Sequence, residues 1–277
     1  MKYLYAAMLL MIIYTTASCK KDKPPPPPPS EDSVYRISMV KVKTYDLTDN
    51  SLITNDYSAR YSYDSQGLLA KIVHRRADST LMAFYVYERK NGLVIGLHTY
   101  NSDSTKAETN VYEYVDKRIK TVSTKDYHRS PSYTWPLFFI TRIMEYTQGL
   151  LTKVTYPGDS NASSSSTLTW SQGNIIQINR LRKLPTITFK QETILEYDNK
   201  LNPYFNIGGI PDDNEVYNSR NNITSIKWPV TPGAPVKPRI TTYEYNAKGY
   251  PTASFTSYPD GKKISEHTFE YAFFPVQ

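Results

Sequence analysis

From Tyr57 onward the chain alternates. An aromatic or aliphatic residue, a polar residue and a second aromatic recur, as in Tyr61-Ser62-Tyr63, Tyr85-Val86-Tyr87, Tyr112-Glu113-Tyr114, Leu195-Glu196-Tyr197 and Tyr243-Glu244-Tyr245. Residues two apart on a strand share a face, so each triplet predicts a strand with its large side chains on one side. A polar turn follows, built on Gly or Asn: Asp64-Ser65-Gln66-Gly67, Asn91-Gly92, Gln148-Gly149, Gln172-Gly173 and Asn246-Ala247-Lys248-Gly249. Such residues supply the positive φ that tight hairpins require. A second apolar run then returns, as in Leu68-Leu69-Ala70-Lys71-Ile72 and Leu150-Leu151-Thr152-Lys153-Val154. Further copies are read at Met144-Glu145-Tyr146, Leu168-Thr169-Trp170 and Glu215-Val216-Tyr217, with a half unit at Phe269-Glu270-Tyr271.

Hairpins repeated in this way predict an all-β fold. We expect an antiparallel meander of hairpins, twisted and curled toward an open barrel, with a two-sheet sandwich as the alternative. The 25 tyrosines, with many Thr, Val and Ile, fit strands. Tyrosines at equivalent positions would pack across neighbouring strands.

The turn core Tyr63-Asp64-Ser65-Gln66-Gly67-Leu68-Leu69 resembles the Y-D-x-x-G-x-L form of YD repeats, the Rhs-type family of extracytoplasmic β-repeats; Tyr245-Asn246-Ala247-Lys248-Gly249-Tyr250 is a second copy. The stretch Tyr197–Tyr204, with Ser219-Arg220-Asn221-Asn222-Ile223, is similar to small exported lipoproteins of Bacteroidota. The resemblance implies an exported β-repeat protein and implies no activity.

The N-terminus has a different pattern. Met1-Lys2 precedes an apolar run from Tyr3 to Tyr14, then Thr15-Thr16-Ala17-Ser18-Cys19. A charged start, an apolar middle and small residues before a boundary form a secretory signal. The apolar run falls short of the roughly 20 residues that span a bilayer. Cys19, the only cysteine, stands where a lipoprotein signal places its lipidated residue. Residues 1–18 are therefore read as a lipoprotein signal peptide, residues 19–33 as the lipidated cysteine and a proline-rich linker, and residues 34–277 as the β-repeat domain. Lipidation would use the only thiol, which leaves none for an internal disulfide. The six prolines Pro24–Pro29 predict an extended spacer of about 20 Å. These features place the protein at the outer membrane, lipid-anchored, on the periplasmic or cell-surface side.

The formal charge of +7 is spread along the chain, which suits solubility and does not suggest nucleic acid for an exported protein. His74, His98, His128 and His267 have no partners at metal-ligand spacing, and no nucleophile elbow, Walker loop or Rossmann glycine pattern is present, so neither metal nor cofactor is expected. His74 and His98 are read as solvent-facing strand positions. Asp212-Asp213-Asn214 is read as a solvated turn.

Three segments break the repeat: 129–140, 202–214 and 228–238. They are read as caps on the sheet ends or as contact loops. Tyr133, Trp135 and Trp228 are the candidate ligand-binding residues, since aromatic faces suit sugar rings and protein hot spots. The expected function is a non-enzymatic binding or interaction role for an anchored envelope lipoprotein, with an envelope glycan or protein as partner. Glycan capture for uptake is the alternative. A glycan-active hydrolase is the third reading, and no catalytic residues are assigned.

Overall fold

The computed structural model describes residues 33–53, 56–127, 139–157, 163–205, 207, 218–228 and 238–275. The signal, the linker as far as residue 32, Cys19, Tyr133, Trp135, His128, Asp212 and the repeat copy at Glu215-Val216-Tyr217 lie outside the described residues; Ser33, read as the linker's last residue, begins the first strand. The described chain folds into sixteen strands: β1 (Ser33–Thr44), β2 (Tyr57–Tyr63), β3 (Leu69–Arg76), β4 (Leu81–Lys90), β5 (Leu93–Asn101), β6 (Lys106–Val115), β7 (Arg118–Asp126), β8 (Phe139–Thr147), β9 (Leu150–Tyr156), β10 (Ser163–Ser171), β11 (Asn174–Lys183), β12 (Thr188–Leu201), β13 (Asn221–Lys227), β14 (Arg239–Tyr245), β15 (Pro251–Ser257) and β16 (Lys263–Pro275). Each pairs antiparallel with its neighbours in sequence, and β1 pairs with β16 from Ser33↔Pro275 to Thr44↔Ser265. The meander therefore curls fully into a closed barrel; it is neither left open nor folded into a sandwich. Closure removes both sheet edges.

An even number of antiparallel strands gives the barrel two distinct ends. The turns after even-numbered strands lie at one end, the turn end, and the connections after odd-numbered strands lie at the other, the loop end. At the turn end several hairpins use two residues with positive φ: Asn91-Gly92 (52° and 78°), Gln148-Gly149 (50° and 88°) and Gln172-Gly173 (49° and 80°). These are type I′ turns, whose twist matches that of the flanking strands. In the β6–β7 hairpin, Asp116-Lys117 takes the same shape with Lys117 at φ 62°, where its siblings have glycine.

The repeat has a second signature that the triplet pattern did not show. Each of the eight pairings that meet at the turn end carries a register shift, as at Ser62/Tyr63, Glu88/Arg89, Glu113/Tyr114, Glu145/Tyr146, Thr169/Trp170, Glu196/Tyr197, Glu244/Tyr245 and Ile37/Met39. A bulge disrupts the ladder locally, and a buried carbonyl without a partner is costly. The next unit supplies the donor. The Tyr63 hydroxyl donates to the Ile37 carbonyl (2.7 Å), Tyr114 to Val94 (2.8 Å), Tyr243 to Ile223 (2.9 Å) and Tyr271 to Pro251 (2.7 Å). Tyr197 donates to Ile175, the Trp170 indole to Leu151 (2.7 Å), and the Arg89 guanidinium to Leu69 (3.0 Å). Every acceptor is the residue just before a bulge. This explains the second aromatic of the triplet at Tyr63, Tyr114, Trp170, Tyr197 and Tyr271; in β14 the first aromatic, Tyr243, donates while Tyr245 bonds to Asp198, and in β4 the donor is Arg89, beyond its triplet. The triplet's first residue, at Tyr61, Tyr112, Met144, Leu168, Leu195 and Phe269, is buried core.

The inward side chains condense into two clusters. One runs over β5–β13 through Val94, Val122, Met144, Val154, Ile175 and Ile178; the other holds Ile37, Val40, Leu69, Ile72 and Phe269, and Tyr87 packs against both. The described residues of the β12–β13 connection pack into the barrel at the turn end. Ile207 joins the second cluster, and the Tyr204 ring lies 6.2 Å from Phe269. Asn202 holds this insertion together by donating to the Ser219 carbonyl (2.9 Å) and accepting from the Tyr204 amide (3.0 Å). Of the described residues in 202–214, Ile207 is buried in the core, as a cap would be, and Tyr204 also lines the cavity described below.

Candidate functional site: a cavity inside the barrel

Above this packed floor the two clusters part, and a cavity of about 440 Å³ is left in the half of the barrel formed by β16 and β1–β8. Its floor is apolar and aromatic, with Val40, Ala59, Tyr61, Ile72, Tyr87 and Tyr112. Its upper wall, nearer the loop end, carries Tyr57, His74, Tyr85, Glu108, Arg142 and His267. These six come from β2, β3, β4, β6, β8 and β16, so only barrel closure brings them together.

Two features organise the wall. The first is an aromatic run: the Tyr57 and His74 rings stack with centroids 5.5 Å apart at 22°, and His74 meets Tyr85 at 5.1 Å and 59°. The second is a polar corner. Arg142 donates to the Asn110 side-chain oxygen (3.1 Å), Thr124 donates to that same oxygen, and the Asn110 amide donates to Glu108 (2.7 Å). The chain of donors runs one way, from guanidinium to carboxylate, which fixes the orientation of each group.

Burial sets the protonation of the wall. It pushes the His74 and His267 imidazoles below the usual histidine range, so both are neutral near pH 7. Burial also raises the Tyr85 hydroxyl, helped by the nearby Glu108 carboxylate and by Tyr57. The sequence reading of His74 as solvent-facing is corrected here: the bulge after Leu69 shifts the parity of β3 and turns His74 inward. His98 does lie on the outer wall, where it bonds to Thr109 and Glu88, both at 3.1 Å.

A second hollow opens on β9–β12, lined by Tyr156, Ser164, Ser166, Arg180, Arg182 and Phe189. Arg180 is engaged there with the Thr193 hydroxyl at 3.0 Å. Of the three residues proposed as ligand platforms, only Trp228 is described. It is half-buried at the end of β13, with the Arg239 guanidinium 4.4 Å from its ring centroid, and it does not line the cavity. The residues that do line it were missed in the sequence. Their signal was present as polar residues at inward parity: His74 two after Ile72, Glu108 and Asn110 before Tyr112, and His267 before Phe269.

The outer wall has the opposite character. Lys41, Arg60, Lys71, Glu113, Glu145, Glu196 and Glu270 are exposed on it. Some pair across strands, as Lys41 with Glu270 (2.9 Å) over the closing seam and Lys153 with Glu145 (2.6 Å). Aromatics are present as well: Phe84 and Tyr100 stack at 4.7 Å, with Lys71 over Phe84 at 4.7 Å.

No family model and no curated protein matches the chain. Solved structures do. A porin-like protein from Bacteroides uniformis superposes with a TM-score of 0.52 at 15% identity, covering 86% of this chain and 96% of its own. A porin-like protein from Bacteroides vulgatus gives 0.40 at 12% identity, covering 86% and 99%. A chain of a TcdB2-TccC3-Cdc42 structure gives 0.32 at 15% identity, covering 76% of this chain and 13% of that one. At these identities the first of them is a likeness of fold alone, an antiparallel β-barrel, and the other two superpose too loosely to carry an argument.

Proposed function

We propose that this protein is a lipid-anchored envelope protein whose barrel stands in water and holds a small ligand in its interior, without catalysing a reaction. The observation that carries this is the contrast between the two faces of the wall. A membrane-spanning barrel turns an apolar band to lipid and keeps a polar lumen. Here the lumen is packed with aliphatic and aromatic residues at the turn end, and the outer wall bears charges on most strands. A single Lys or Arg at mid-bilayer costs about 2–4 kcal/mol, so a wall carrying Lys41, Arg60 and Lys71 favours water strongly. Attachment then falls to Cys19 and its lipid, followed by the proline spacer. The chain that leaves this spacer enters β1 at the turn end.

A binding role is supported by the cavity, whose size is within the range of small-molecule sites. Its chemistry favours binding over hydrolysis. Glycoside hydrolysis uses two carboxylates flanking the bond, and Glu108 is the one carboxylate among the described lining residues. The test is ligand-observed NMR on the full chain, with a panel of small sugars, organic anions and organic cations. Ala59→Phe, which places a ring on the cavity floor, serves as the blocked control. Binding by the wild type that is lost in Ala59→Phe is the expected result. Equal signals from both, or none from either, would overturn the reading.

A further inference from the structure

We infer that the cavity selects a neutral saccharide of one or two rings, with a sugar face over Tyr57 and Tyr85 and its hydroxyls in the corner formed by Glu108, Asn110 and Arg142. This rests on the binding role proposed above and adds the class of ligand. Three observations carry it.

The first is charge. Arg142 and Glu108 are the formally charged groups among the described lining residues, and they oppose each other through Asn110. The two histidines add no charge near neutral pH, since burial favours their neutral forms. An organic anion would meet the Glu108 carboxylate, and a cation would meet Arg142. A neutral ligand meets neither penalty.

The second is hydrogen-bond grammar. A hydroxyl both donates and accepts, so it is suited to a site that sets a carboxylate acceptor beside guanidinium and amide donors. Glu108 and Arg142 are linked to one Asn110 side chain, so acceptor and donor are fixed side by side before any ligand arrives. The neutral imidazoles of His74 and His267 each carry one donor and one acceptor nitrogen, which extends this mixed character around the wall.

The third is the apolar component. A pyranose has faces of C–H groups as well as an edge of hydroxyls. Tyr57, His74 and Tyr85 form a contiguous aromatic run on the wall, within the same enclosure as the polar corner. The aliphatic floor of Val40 and Ile72 bounds the depth of the site. Faces for C–H groups and an edge for hydroxyls within about 440 Å³ suit one or two sugar rings better than a lipid tail or an extended peptide.

The experiment is isothermal titration of the full-length protein with four probes: a neutral hexose, a neutral disaccharide, galacturonate and tetramethylammonium. The variants are Glu108→Gln, Tyr57→Leu, Ala59→Phe, and Tyr100→Leu on the outer wall. Melting curves confirm that each folds, and Leu97→Phe replaces Ala59→Phe if that variant does not. We expect a neutral sugar to bind, with Kd raised about tenfold or more by Glu108→Gln and by Tyr57→Leu, abolished by the cavity filler and unchanged by Tyr100→Leu. Tighter binding of galacturonate or tetramethylammonium, still abolished by the filler, would overturn the saccharide while leaving the cavity a binding site. Sugar binding indifferent to the filler and to Glu108→Gln would overturn the placement. Silence from all four probes would overturn the saccharide, and the ligand panel described above then decides whether the cavity binds anything else.

Discussion

Changing Tyr271 to Phe removes one oxygen from the barrel and leaves the ring in place. That oxygen donates to the carbonyl of Pro251, a fully buried residue just before the bulge in β15. The bulge disrupts the ladder there, and this hydroxyl supplies a donor to the carbonyl. Losing a typical hydrogen bond costs about 1 kcal/mol net, and leaving a buried group unsatisfied costs about 1–3 kcal/mol. We expect Tyr271→Phe to destabilise the protein by about 2 kcal/mol, which corresponds to roughly 4–8 °C in melting temperature for a domain of this size. Tyr63→Phe, which strands the carbonyl of the fully buried Ile37, should cost about the same. The control is Tyr100→Phe on the outer wall, expected within about 0.5 kcal/mol of wild type. Urea unfolding followed by circular dichroism measures all three. If Tyr271→Phe and Tyr63→Phe unfold with the control, the hydroxyl–bulge bond is not what the repeated tyrosine supplies, and ring packing alone explains the pattern.

Lys117 occupies a left-handed position that glycine fills in sibling hairpins, so Lys117→Gly should stabilise the protein by about 0.5–1 kcal/mol; an unchanged or lower urea midpoint would contradict this. Burial lowers the folded-state affinity of His74 and His267 for protons, so the unfolded chain binds more protons once the pH falls below about 6.5. Stability should therefore decline between pH 7 and pH 5, and the decline should shrink in a His74→Phe, His267→Phe double variant. At alkaline pH the sign reverses. Burial holds the protons on Tyr63, Tyr243 and Tyr271, while the unfolded chain releases them near pH 10. Stability should fall above about pH 10, with the last fraction of tyrosinate absorbance rising together with loss of ellipticity; ionisation of every tyrosine before unfolding would contradict burial.

The fold was legible because each hairpin carries its own signature. The alternation in Tyr61-Ser62-Tyr63 and the Gly67 turn are local, and they recur often enough to predict a meander. Closure was not legible, since it depends on β1 meeting β16 across the whole length of the chain. Nor were the bulges: Ala70 and Ile95 read as ordinary strand residues, and their extra step shows only against a partner strand. The cavity was hidden for the same reason. His74 shares the parity of Ile72 but not that of Leu69, because the bulge at Ala70 lies between them, so which parity faces inward shows only against a partner strand. Among the insertion segments, Trp135 and Trp228 carry the conspicuous side chains, whereas the lining residues lie on regular strands with unremarkable neighbours, apart from Tyr204 in the β12–β13 connection. Asn202 and Tyr204 stand in a segment read as either a cap or a contact loop, and their reach into the barrel depends on the hydrogen bonds that fold the chain back there.

The most direct measurement asks whether the proposed lipid at Cys19, and not the barrel wall, attaches the protein to a membrane. A sequence-specific protease site inserted between Pro29 and Ser30 would separate Cys19, the proposed site of lipidation, from the barrel without altering any strand. Isolated membranes bearing this variant would be treated with the protease, sedimented and probed for the barrel in both fractions. Release of folded barrel into the aqueous supernatant, without detergent, is the expected result. A barrel that stays with the membrane after complete cleavage, and leaves it only with detergent, would mean that the charged wall is embedded in lipid after all.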